Sequence, residues 1–171
     1  NLPLYNEQQV QHIFGLEPSA ALREKAVEML GSIDIPIDFI AAGAESIPLD
    51  THSVDTVVSS WTLCSIPDIE MGLQEIRRVL KPDGRFVFIE HGRAPDKAVA
   101  KWQRRLRPIS RPLLGCDLSQ PMDQLIRDAG FDFPALETAY LQGPKLISYH
   151  YIGQAKPCLL YTSDAADEED S

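Results

Sequence analysis

Ile13-Phe14-Gly15-Leu16-Glu17-Pro18-Ser19 is the stretch on which the reading of this chain turns. Ile13 to Leu16 is short and apolar, as a buried strand should be. Pro18-Ser19 then opens a helix, with the serine hydroxyl suited to cap its first free N–H groups. A strand that gives way at once to a helix is the building unit of a doubly wound α/β sheet. Glu17 therefore stands at the carboxyl edge of a parallel strand. Nucleotide-like ligands bind at that edge, and an acid there accepts both hydroxyls of a ribose. Such an element normally comes second, after a glycine-rich strand-to-helix turn. Only twelve residues precede this strand, so the chain is expected to open just after that turn.

Working outward, the periodicity predicts a helix from Ser19 to Leu30. Ala21, Leu22, Ala26, Val27, Met29 and Leu30 supply its apolar positions, and Gly31 stops it. A strand is expected at Ile37–Ala41 and a loop from Gly43 to Thr51. A β-branched strand follows at Val54–Trp61. Pro67 to Leu80 reads as an amphipathic helix carrying Ile69, Leu73, Ile76, Val79 and Leu80 on one face. Lys81-Pro82-Asp83-Gly84 reads as a turn, and Arg85–Glu90 as the next strand. A helix over Pro95–Leu106 is expected to be broken by Pro108 and Pro112. A last helix starts at Leu118 or Ser119 and ends at Gly130. Strands near Leu136–Leu141 and Ile147–Gly153, joined by Gln142-Gly143-Pro144-Lys145, form an antiparallel hairpin. The alternation implies an α/β fold, doubly wound around a mostly parallel sheet, with the hairpin at its end.

The 171 residues fit one domain able to bury a core. Hydrophobic content of 44% and charged content of 24% are those of a globular protein. There is neither a membrane-length apolar run nor a secretory leader in the sequence as given. Net charge is -9, and five of the acids crowd into Asp164–Ser171, which leaves the body mildly acidic. That argues against nucleic acid as a partner. Lys101, Arg104, Arg105, Arg107 and Arg111 form a local basic cluster, read first as a solvated helix face. A patch for an acidic substrate or membrane surface is the other reading. Cys64, Cys116 and Cys158 have no CxxC or metal spacing, which points to reduced thiols, a cytoplasmic setting and no metal. Residues 157–171 read as a disordered acidic tail of artefactual origin, outside a domain spanning residues 1–156.

Taken together the motifs resemble a known family. They are Asn1-Leu2-Pro3 with Tyr5, Gly15-Leu16-Glu17-Pro18-Ser19, Ala44-Glu45 and Trp61-Thr62-Leu63-Cys64-Ser65-Ile66. Downstream come Arg77-Arg78-Val79-Leu80-Lys81-Pro82-Asp83-Gly84-Arg85, Glu90-His91-Gly92, Gly115-Cys116, Ala129-Gly130-Phe131 and Tyr151-Ile152-Gly153. In order and spacing the chain resembles a class I S-adenosylmethionine-dependent methyltransferase of the type 11 kind. It is most similar to small bacterial relatives of the thiol-methylating, membrane-associated group. The resemblance implies a Rossmann-like sheet whose central first strand and glycine-rich turn lie before Asn1. Without them, residues 1–171 are expected to be poorly stable and inactive on their own.

The resemblance also implies roles. Asn1 follows the glycine-rich turn at the methionine part of the cofactor. Glu17 holds the ribose and Pro18 lies beside the adenine. Gly43, Ala44 and Glu45 form the adenine loop; many relatives carry aspartate at position 43, so that contact is missing here. Ser60 and Trp61 border the methionine portion. His91 is a candidate for a general base, and Trp102, Cys116 and Tyr149 are candidates for an acceptor pocket. Each has a plainer reading: Glu17 as a helix N-terminal carboxylate, Pro18 as a helix starter, Trp61 as core, Cys64 as a buried apolar residue. The implied activity is methyl transfer to a small or lipophilic acceptor, with a thiol as one choice, by a monomer. A nicotinamide-dependent Rossmann oxidoreductase and a non-catalytic cofactor-binding fragment remain as alternatives.

Overall fold

A computed structural model describes residues 4–30 and 34–158. Asn1, Gly31 and the acidic tail, all singled out above, lie outside the described residues. The elements run β1 (Ile13–Leu16), α1 (Ala20–Met29), β2 (Ile37–Ile40), β3 (Val54–Ser60), α2 (Ile69–Val79) and β4 (Leu80–His91). They continue with α3 (Lys97–Leu114), α4 (Met122–Asp128), β5 (Phe131–Tyr140) and β6 (Tyr149–Pro157).

The strands form two ladders. β1 pairs in parallel with β2; the other four follow the order β3-β4-β6-β5. Within the larger ladder β3 and β4 are parallel, while β6 runs antiparallel to both β4 and β5. The expected hairpin is therefore present, with β6 inserted next to β4. Among the described residues no ladder pairing joins β1–β2 to the larger sheet.

The core is built on α2 and the larger sheet. Asp68 caps α2 through Met71 N–H, Glu70 lies in its first turn and Arg77 and Arg78 in its last, so charge and cap agree with the helix dipole. Its apolar stripe (Ile69, Leu73, Ile76, Val79) is buried against Phe86 and Phe88 of β4 and Met122 and Ile126 of α4. β4 alternates as a half-covered strand should, with Phe86, Phe88 and Glu90 on the buried face.

Two local expectations are corrected. Lys81–Gly84 is not a separate turn between α2 and β4 but lies inside β4, which begins at Leu80. Leu80 pairs with Val54 and Arg85 with Thr56, so these residues bulge out of the strand opposite Asp55. The Lys81 ammonium, 2.6 Å from the Asp55 carboxylate, holds the bulge. Second, α3 does not stop near Leu106 but runs through Pro108 and Pro112 to Leu114. The prolines are four apart and exposed, so the carbonyls they leave unpaired face water on one side of the helix. The far end is anchored instead: Arg107 Nε lies 2.8 Å from Asp117, Arg111 donates to the Pro67 carbonyl, and Gly115 closes the helix at φ 68°.

The loop that follows β2 is stapled to α2. Glu75 accepts two hydrogen bonds from the Arg78 guanidinium, at 2.6 and 2.9 Å, and one from Ile47 N–H at 2.8 Å. Arg78 also donates to the carbonyls of Ile47 and Leu49. The Arg78 hydrogen bonds hold the Glu75 carboxyl below its ordinary pKa, partly opposed by burial and helped by Ile47 N–H. A group whose pKa falls on folding stabilises the fold above its unfolded pKa. That stability is lost as pH drops through the carboxylate range. Urea unfolding should therefore show wild type losing stability between neutral pH and about pH 3. Glu75→Gln should be about 1–2 kcal/mol weaker at neutral pH and show less of that loss. An unchanged acid limb in Glu75→Gln would contradict the staple.

Candidate functional site at the carboxyl ends of the parallel strands

β1, β2, β3 and β4 deliver the expected residues at or just past their carboxyl ends. Glu17 follows β1. Its Oε1 accepts Ser19 N–H at 2.8 Å, and Ser19 Oγ in turn caps α1 through Leu22 N–H. The helix-capping reading of Glu17 thus accounts for one carboxylate oxygen and leaves Oε2 for a ligand. Arg23 donates to the carbonyls of both Glu17 and Pro18, which fixes this corner. Gly43, Ala44 and Glu45 follow β2. Glu45 accepts Asp68 N–H at the start of α2, so it orients its loop rather than standing free.

Trp61 follows β3 in a left-handed conformation, φ 50°, which is rare and strained for a bulky residue. It is 53% exposed, so the core reading does not hold. Its ring stacks on His91, with centroids 6.1 Å apart, and meets His150 edge-on at 6.2 Å; the two imidazoles lie 4.4 Å apart. β4 and β6 pair His91 with His150 in register, which is why they share a face. His150 was not among the expected site residues. It is buried, its Nδ1–H donates to the Ser148 carbonyl at 2.8 Å, and burial lowers its pKa, which favours the neutral ring with Nε2 as acceptor.

Beneath this aromatic wall Glu90 is fully buried. Its Oε1 accepts the Ser59 hydroxyl at 2.6 Å and Thr62 N–H at 3.0 Å, locking the turn that displays Trp61. Burial raises its pKa above the usual carboxylate range. Glu90→Gln keeps an acceptor for both donors and should cost under about 1 kcal/mol. Glu90→Ala orphans both and should cost about 2–4 kcal/mol by denaturant melts; equal losses would refute this role.

The turn Leu63–Ser65 brings Cys64 under the same wall, and the loop after α3 brings Cys116 beside it. Asp117 N–H donates to the Cys64 carbonyl at 2.8 Å, tying the two segments together. The Cys116 thiol hydrogen bond draws the Cys64 thiol pKa down, with His91 helping, and Cys116 itself is pushed up. Nearby Gln103 is a buried hub. It accepts Ala94 N–H and donates to the Gly92 and Leu146 carbonyls, pinning the loop after β4 to α3 and to the hairpin connection. Gly92 has no room for a side chain, since a Cβ would come within 2.9 Å of the Gln120 carbonyl. Trp102 lines a shallow apolar cleft of about 280 Å³ with Val99, Leu106 and Leu146, separate from buried Tyr149 in β6.

The donor set past β1–β3 fits the cofactor the resemblance implies: a Glu17 carboxylate oxygen with no partner among the described residues, the loop at Gly43–Glu45, and the strained turn at Ser60–Trp61. Residues 2–88 match the family model described as a methyltransferase domain. The chain is 34% identical over 121 residues to the thiol S-methyltransferase TMT1A of Homo sapiens, covering 68% of this chain and 49% of that protein. It is 34% identical over 90 residues to the ubiquinone/menaquinone biosynthesis C-methyltransferase UbiE of Brucella canis, covering 50% and 33%. The chain thus spans half or less of these curated relatives. A crystal structure of a SAM-dependent methyltransferase from Methanosarcina mazei superposes with a TM-score of 0.65 at 18% identity, covering 87% of this chain and 84% of that one, which shows the shared fold. Of the two enzyme classes left open by the sequence, nothing here supports the oxidoreductase. By its family match, with a fold that agrees, the chain belongs to the methyltransferase domain family.

Proposed function

We propose that this domain transfers a methyl group from S-adenosylmethionine to a small or lipophilic acceptor whose nucleophile is a thiol. The observation that carries the reading is the Trp61–His91–His150 wall at the carboxyl ends of β3 and β4, beside an exposed tryptophan face and a buried neutral imidazole. The similarity to a thiol S-methyltransferase supports the choice of nucleophile.

When bound, the cofactor supplies a methyl group already activated on a cationic sulfur. The chain's own residues then have three tasks. Glu17, Pro18, Gly43, Ala44 and Glu45 hold the nucleoside part, with Glu17 Oε2 free for the ribose hydroxyls and Glu45 fixing its loop through Asp68. Ser60 and Trp61, and Asn1 by resemblance, flank the methionine part. Alignment and exclusion of water are the main catalytic contribution for such a donor. The imidazoles take the acceptor's proton. Nε2 of His150 is the better placed, because Ser148 already holds its Nδ1–H; His91 is the second choice.

The separation of β1–β2 from the larger ladder supports the companion reading that residues 1–171 alone transfer methyl poorly. The test compares this chain with a version extended at its amino end by a glycine-rich strand and turn. Each is given the cofactor and a panel of thiols, phenols and quinols. Thioether formation by the extended form supports the proposal. Methylation of a quinol or phenol with no thiol product would overturn the thiol reading, and full activity of residues 1–171 would overturn the companion reading.

A further inference from the structure

We propose that Cys64, His91 and Cys116 form a three-ligand site for a borderline-soft divalent cation, zinc by its donor chemistry, with the fourth position open. One ligand atom from each of the three residues lies within 4.8 Å of the other two. Two thiolates and one imidazole are a zinc donor set, and three protein ligands leave a position for water or another sulfur. Bonds of about 2.3 Å to sulfur and 2.0–2.1 Å to nitrogen put the ligands of a tetrahedral site roughly 3.5–3.8 Å apart. The cluster therefore needs to contract by at most about 1 Å.

Three further observations make this more than proximity. First, His91 Nδ1 is buried and has no hydrogen-bond partner among the described residues, an orphan that a metal bond or a proton acceptor must satisfy. Second, the ligands come from three separate segments whose positions are fixed. His91 ends β4, Cys64 sits in the Leu63–Ser65 turn, and the Asp117–Cys64 backbone bond and left-handed Gly115 set the Cys116 loop against that turn. Third, Ser65 Oγ lies 3.8 Å from Cys64 Sγ, in place to donate to a thiolate. Sequence spacing hides the site, because Cys64 and Cys116 lie on opposite sides of α2, β4 and α3.

Binding would form two metal–sulfur bonds and one metal–nitrogen bond, and release to solvent any proton the two thiols still hold. His91 then serves as a ligand, and His150 remains the free imidazole beside Trp61. The proposal needs neither cofactor nor acceptor and stands or falls separately from the thiol reading.

The test titrates the fully reduced chain with zinc against a chromophoric chelator, and with cobalt while its absorption is recorded. One equivalent should bind, with proton release and thiolate-to-cobalt charge-transfer bands. Cys64→Ser and Cys116→Ser should each weaken binding at least about 100-fold and His91→Ala at least about 10-fold, while Cys158→Ser should leave it unchanged. Because a variant can fail to fold, wild-type protein is also alkylated with and without zinc. Protection of Cys64 and Cys116, but not Cys158, supports the site. No stoichiometric uptake, uptake indifferent to both serine variants, or a Cys64–Cys116 disulfide formed with glutathione disulfide that zinc does not prevent would overturn it.

Discussion

Glu17→Ala is expected to weaken S-adenosylmethionine binding by roughly 30- to 150-fold, measured by calorimetry on the form of the domain that transfers methyl. The figure is that of a lost charge-assisted hydrogen-bond pair, about 2–3 kcal/mol. Glu17 is well placed for so large an effect because the chain already holds it. Oε1 is fixed by Ser19 N–H, the backbone on either side is gripped by Arg23, and Glu17 N–H bonds to the Ile40 carbonyl. A carboxylate that starts in position loses little conformational freedom on binding, so most of its interaction appears as affinity. The same geometry supplies the control. If Glu17 served only the helix, Glu17→Ala would fray α1 and cost about 0.5–1 kcal/mol of stability, with affinity hardly changed. Ser19→Ala removes the other cap of α1 and touches no ligand in this reading, so it should reproduce the stability loss without the affinity loss. Matching affinity losses in the two variants would reject the ribose role.

The parts of this site that were readable in the sequence are those set by local chemistry. Ile13–Leu16 followed by Glu17-Pro18-Ser19 gave strand, acid and cap from adjacent residues, and the structure shows each of them. The stripe of α2 was readable because a helix repeats its buried face within the helix itself. What escaped is set by register and tertiary anchoring. His150 joins the wall only because β6 pairs antiparallel with β4 so that it falls opposite His91; a shift of one residue would turn it to the other face. Cys64 and Cys116 meet through one backbone bond between segments far apart in sequence. The length of α3 was misjudged because the proline rule is local. Arg107–Asp117, Arg111–Pro67 and Gly115 act on the helix from outside it.

The apolar positions of α1 lead to the second large effect. Leu22, Val27 and Met29 have the composition of a buried face, yet α1 buries none of its residues; Leu22 is 52%, Val27 55% and Met29 83% exposed. Among the described residues β1 and β2 pair only with each other, whereas β4 is paired on both sides and carries the buried Phe86 and Phe88. Local opening free energy follows buried apolar contact and protected backbone bonds. The β1–α1–β2 unit should therefore open at little cost, while β4 and β6 should exchange only through global unfolding. With a gap of at least about 4 kcal/mol between those routes, hydrogen exchange in β1, α1 and β2 should run about 1,000-fold faster than in β4 and β6. Substitutions should divide the same way. Leu22→Ser and Val27→Ser should change global stability by less than about 0.5 kcal/mol. Leu73→Ala in α2, where the side chain is fully buried, should cost about 3–5 kcal/mol. The unit that opens easily is also the one that carries Glu17, so apparent affinity is lowered only by the fraction of molecules in which it is open. A ligand held by Glu17 should consequently slow exchange in β1 and α1 far more than in β4. Equal protection of both ladders in the free chain, or protection by ligand confined to β4, would show that the two ladders unfold as one and that this account of the site is wrong.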